Sequence, residues 1–171
     1  MLPVSIEGYM NLAILAVFIF AICLAALEDM RILKIPNWSS AIVAAAFVPY
    51  YLLHSWLFPI GTHLIIAAAI FLITVTFWKL KLIGGGDVKL LTAVGLWLGP
   101  DLALSFMIVM TLSSAVIGIV LLLVRKWSSV LYAATAPRPM LRIWAIAETG
   151  KCPYALPIAI AALTTVPQRF F

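Results

Sequence analysis

Long apolar stretches separated by short polar clusters run through the whole chain, and the positions of the breaks predict six membrane-spanning helices. Between Lys34 and Lys79 no Asp, Glu, Lys or Arg occurs, which leaves length for two helices of the roughly 20 residues a bilayer requires. Pro49, Pro59 and Gly61, with His54 and Ser55 between them, predict the turn that divides this run near residues 54–61. The same reading gives spans near residues 9–27, 39–53, 62–78, 88–98, 102–124 and 154–166. At 1.5 Å per residue the fourth extends only about 16 Å, so it must begin inside the membrane, lean on neighbours or border a wet cavity.

Composition excludes the water-soluble classes: 65% of the 171 residues are hydrophobic and 10% charged, with a mean hydropathy of +1.19. The expected fold is an all-α integral membrane protein, a six-transmembrane-helix bundle forming one domain over residues 1–171. No internal repeat is evident, which gives inverted-repeat transport little support. The first span has no basic segment before it, and Glu28, Asp29 and Arg31 follow it where a signal peptide would carry small residues, so it is expected to stay in the mature protein.

The net charge of +5 is unevenly placed. Arg31 and Lys34, then Lys79, Lys81 and Lys89, then Arg125, Lys126, Arg138, Arg142 and Lys151 fall on alternate connections, with only Arg169 on the opposite side. Those connections are predicted to be cytoplasmic and both termini to lie outside a multi-pass inner (plasma) membrane protein. The basic balance is thus a topology signal and a contact with anionic headgroups, with no pattern for nucleic acid. Trp38, Trp56, Trp78, Trp97, Trp127 and Trp144 fall near span ends or in connections, where indole rings favour the interface. Gly95, Gly99, Gly118 and the small residues Ala67, Ser113, Ser114 and Ala115 are expected to permit close helix packing.

Candidate chemistry begins at Gly84, Gly85, Gly86 and Asp87, an ionisable group at the edge of a span, where it is expensive and needs a reason. Glycines admit positive φ and close backbone approach. The competing structural role for Asp87 is to cap the next helix. Two spans separate Asp29 from Asp87, so both return to the same membrane face. Carboxylates brought together there can share one proton, the ionised one activating a water and the protonated one hydrogen-bonding a scissile carbonyl. For Asp29 the competing role is a solvated helix-end residue. Neighbouring Glu28 points roughly 100° away on a helix, so only one of the two can face a partner across the bundle; Asp29 is the choice, with Glu28 meeting headgroups, Arg31 or a basic residue of a substrate.

Other features read as structural. Cys23 and Cys152 suit neither a disulfide framework nor a metal cluster and are expected to be free thiols. His54 and His63 lack the spacing of a helical zinc pair and are assigned to the interface. No metal or other cofactor is expected. Residues 138–148 are read as a helix lying in the cytoplasmic interface that helps guide substrate.

Asp29 followed by Ile35-Pro36-Asn37, then Gly84 to Leu91 running into Gly95-Leu96-Trp97-Leu98-Gly99, then Pro153-Tyr154-Ala155-Leu156-Pro157, resembles the ordered landmarks of the type IV prepilin peptidases, intramembrane aspartyl proteases with a G-x-G-D motif. The likeness covers nearly the whole chain. G-x-G-D alone is weak and is shared with presenilin-like and signal-peptide-peptidase-like proteases; the ordered set is stronger. The resemblance implies that Asp29 and Asp87 are a catalytic pair that removes the leader from membrane-inserted prepilin or pilin-like precursors at the cytoplasmic face. It offers Lys89, Pro153 and Tyr154, beside Glu28, as substrate-contacting candidates. With no CxxC pair and no room before Gly8 for the cysteine-rich domain of the larger methylating members, the chain is most similar to the compact tight-adherence pilus peptidases, and no transferase activity is expected. The alternatives are a proton-coupled transporter or channel and a non-catalytic membrane subunit of a pilus apparatus.

Overall fold

The computed structural model describes residues 4–54, 59–128, 146 and 152–170. The regular elements there are all helical. α1 (Val4–Ile32) is apolar for most of its 29 residues. It ends where Leu33 takes φ 52° and closes its N–H on the Asp29 carbonyl at 2.9 Å. Pro36, which cannot continue a helix and holds the residue before it extended, then leads into α2 (Asn37–His54).

α3 (Ile60–Lys79) starts behind Pro59 and stops in a Schellman turn. Lys81 donates to the Trp78 carbonyl at 2.9 Å and Leu82 to that of Phe77 at 3.0 Å, with Lys81 at φ 60°. Neither left-handed stop uses glycine, so each costs roughly 1–2 kcal/mol that packing must offset. α4 (Gly85–Ser128) is broken at Gly99, whose φ 55° and ψ −176° precede Pro100. α5 (Ala155–Thr165) and a 3-10 turn (Val166–Arg169) close the described chain.

The break makes α4 a hairpin. One apolar groove is lined by Leu91 from the first arm and by Met110 from the second, residues that a straight helix would separate by about 28 Å. The first arm is the centre of the bundle: Leu90, Val94, Trp97 and Leu98 are wholly buried and pack with Phe18 and Ile22 of α1, Val43 of α2 and Ile158 of α5. Most of the second arm lies outside that core, with Leu112, Val116, Ile119 and Leu122 exposed. An apolar surface of that kind belongs in lipid.

The break would orphan the carbonyls that close the first arm, since Pro100 has no N–H to return to Leu96. Three side-chain hydrogen bonds answer this. His63 Nδ1 donates to the Leu96 carbonyl at 2.7 Å, and Arg169 donates through Nε to Trp97 and through Nη2 to Leu98. Arg169 also pairs with Asp101 at 2.7 Å.

These contacts correct two expectations. His63 is 1% exposed and serves as a helix cap, because a broken helix needs a donor there more than the interface needs a histidine. Trp97 is wholly buried, not interfacial; its Nε1 donates to the Val43 carbonyl at 3.0 Å, and its ring lies 4.9 Å from Phe18 and 5.3 Å from Tyr50. The small-residue expectation holds for Gly95, where a Cβ would sit 3.1 Å from the Ala67 Cα, but around Gly118 nothing lies within 4 Å.

Three helical segments among the described residues are long and apolar enough to cross a membrane: Ile6–Ile32, Ile60–Lys79 and Gly85–Lys126. The count of six is therefore not reached by length and apolarity. α5 has only 11 residues, and α2 opens on polar Asn37, Ser39 and Ser40. The interfacial helix expected over residues 138–148 lies outside the described residues apart from Ile146.

Candidate active site

At the end of the bundle remote from Arg169, three features converge: the stop of α1, the turn between α3 and α4, and the start of α5. Gly86 makes the convergence possible. A Cβ there would lie 2.9 Å from the Ile35 Cβ and 3.2 Å from the Ile35 carbonyl oxygen, so only a glycine lets the α1–α2 link rest against the first turn of α4. Gly86 works through this space, not through an unusual torsion: among the described glycines only Gly99 has positive φ, contrary to one reason offered for the motif.

Asp87 is the third residue of α4, and its Oδ2 accepts the Gly84 N–H at 2.9 Å, the reach-back half of a capping box. The capping role is therefore present, and it fixes one oxygen of a carboxylate that is itself 8% exposed. Asp29 lies in the last turn of α1, 5% exposed, and its Oδ2 accepts the Ala155 N–H that opens α5 at 3.0 Å. A solvated helix-end role does not describe it. Each carboxylate thus accepts a backbone N–H at a helix N-terminus, Asp87 at that of its own helix and Asp29 at that of α5, which holds it in one orientation.

Two adjoining cavities, of about 440 and 230 Å³, are each lined by both Asp29 and Asp87. Leu33, Lys81 to Gly84, Cys152 and Tyr154 complete the larger one. Leu33 to Ile35 and Gly84 to Gly86 complete the smaller. The Cys152 thiol is pushed up from its ordinary pKa, first by burial and then by the charges of Asp29 and Asp87.

The remaining candidates divide. Tyr154 lines the larger cavity. Glu28 is half-buried and lines neither cavity, and Pro153 is buried off the lining. Lys89 is exposed and donates from Nζ to Asn37 Oδ1 at 2.8 Å, tying α4 to the start of α2. Sequence reasoning missed Cys152 and the left-handed Leu33 and Lys81 as lining residues. Adjacency to Pro153-Tyr154 was a signal for Cys152; neither Leu33 nor Lys81 carries the glycine or asparagine that marks such a turn.

The family model of the type IV leader peptidase family matches residues 15–123, more than half of the chain and inclusive of Asp29 and the whole Gly84 to Asp87 turn. The chain belongs to that family. It is accordingly a protease of the prepilin peptidase kind, and the family makes its substrate a membrane-bound precursor. Searches of curated proteins and of solved structures found no match.

Proposed function

We propose that this leader peptidase is an aspartyl endopeptidase in which Asp29 and Asp87 remove the leader from type IV prepilin or pilin-like precursors at the cytoplasmic face of the inner membrane. The observation that carries the reading is the shared cavity: two carboxylates, 58 positions apart in sequence (87 − 29), face one space in a chain of the leader peptidase family. Backbone donors engage one oxygen of each carboxylate, so the opposite oxygens are the ones available to a water and to a substrate carbonyl.

In the proposed reaction one carboxylate is ionised and takes a proton from water as the water oxygen bonds to the scissile carbonyl carbon. The other carries a proton, hydrogen-bonds the carbonyl oxygen and transfers that proton to it as charge develops there, which leaves a gem-diol. Collapse of the diol breaks the C–N bond as the carboxyl that took the water's proton delivers it to the departing nitrogen and the other carboxylate recovers a proton from a diol hydroxyl. Tyr154 and the glycine turn border the space the peptide would occupy. The six spans, the cytoplasmic site and the outward termini belong to this proposal as well, resting on the distribution of Lys and Arg.

The carrier and assembly-subunit alternatives gain nothing from family membership. Purified protein incubated with a precursor of a short pilin separates them: a single cut before the apolar segment is the expected result. Proton-linked uptake into liposomes without any cut would overturn the peptidase reading.

A further inference from the structure

Beside the carboxylate cavities runs a second, larger hollow of about 480 Å³ between α3 and the α4 hairpin. Its wall is almost wholly apolar. From Ile66 through Ile70 and Ile73 to Phe77, the lining steps along one face of α3 for about 16 Å. Met107 and Met110 oppose that face from the second arm of α4. The hollow is open along one side, since Ile73 is 52%, Met107 46% and Phe77 44% exposed.

At one end its lining contains Leu82, Ile83, Asp87 and Tyr154, which also line the larger carboxylate cavity. An ordinary lipid-facing surface is convex and ends in headgroups; this one is concave and ends on a buried carboxylate. The groove therefore matches a ligand with an apolar stretch joined directly to a polar one. Methionines suit it to varied side chains, because an unbranched thioether adapts its shape.

We propose that this groove takes the apolar membrane segment of the precursor, seating it against Phe77, Met107 and Met110 so that the polar end of the segment crosses into the cavity at Asp87. The inference rests on the peptidase reading and adds the place where the substrate lies. It also makes the groove a positioning device: the boundary between apolar and polar lining sets how far the segment reaches toward the carboxylates.

The test uses the full chain in liposomes and a precursor retaining its membrane segment. Ala69→Trp and Met107→Trp fill the groove, and Leu104→Trp alters a residue that is 71% exposed and outside its lining. The groove variants should raise KM roughly tenfold with smaller changes in kcat, and Leu104→Trp should leave both unchanged. Where a tryptophan variant does not fold, Met107→Cys in an Asp87→Asn chain should form a disulfide with a cysteine in the precursor's apolar segment, and Leu104→Cys should not. Normal cleavage by the groove variants, or equal crosslinking at both positions, would overturn the docking inference, as would an acyl chain holding the groove against the precursor. Failure of the unsubstituted protein to cut at all would instead remove the peptidase reading on which it stands.

Discussion

Glu28 and Asp29 are adjacent carboxylates of nearly equal chemistry, and helical geometry alone separates them: Asp29 enters the cavity and reaches the start of α5, while Glu28 lines neither cavity. Asp29→Asn and Asp87→Asn should each lower cleavage by roughly 10²–10⁴-fold, because an amide keeps the shape but can neither accept the water's proton nor share one. Glu28→Gln should leave turnover near normal. The reverse ranking in a kinetic assay would show that the wrong carboxylate has been chosen. Cys152 offers an independent reading of the same pair. Its pKa is raised, so its thiolate forms only at higher pH than an ordinary thiol's, and removing the two neighbouring charges should move its alkylation profile toward acid. Maleimide labelling of a Cys23→Ser protein against pH, with and without Asp29→Asn and Asp87→Asn, measures this, and labelled Cys152 should block cleavage by filling the cavity.

At the scale of elements, the site depends on how two helices are stopped and one is broken. Gly86 and Gly85 look equivalent in sequence but not in space. A Cβ on Gly86 would strike the Ile35 backbone region at 2.9–3.2 Å, whereas one on Gly85 meets only Trp78 Nε1 at 3.4 Å, an ordinary contact. Gly86→Ala should therefore cost about 1–3 kcal/mol through overpacking and lose cleavage as the α1–α2 link is displaced, with Gly85→Ala close to normal. Comparable losses in both variants would count against the close-approach explanation. At the far end of the same helix arm, Arg169→Ala should destabilise the protein by roughly 1.5–3 kcal/mol, the range for hydrogen bonds to a charged group, because two carbonyls would lose their donor. Asp101→Asn should cost under about 1 kcal/mol, since its side chain is 60% exposed and the pair is solvent-screened. Unfolding in detergent compares the two.

For the whole molecule, the carboxylate end and the Arg169 end are opposite poles of one bundle. Lys34, Lys81 and Lys89 gather near Asp29 and Asp87, while Arg169 is held at the break in α4. If the positive-inside rule applies, cysteines placed beside Lys34 and Lys81 should react with an impermeant reagent only from the cytoplasmic side, and one beside Arg169 only from outside. Labelling of the Lys34 and Lys81 positions from opposite faces would contradict the arrangement. The membrane class, the helices and most of their ends were legible along the chain, because apolar run length and the punctuation by Pro, Gly and charge are local properties; Asp29 and Asp87 stood out as ionisable groups at span edges. The span bounds also left a division at residues 99–101, where α4 breaks. What those residues touch follows from packing. That His63 and Arg169 cap a broken helix, that Trp97 belongs to the core, that Cys152 and Lys81 border the carboxylates, and that an apolar groove leads into their cavity all depend on contacts between segments far apart in sequence. Hydropathy specifies that a residue leaves water but not whether lipid or protein receives it, and that choice is made only when the helices pack.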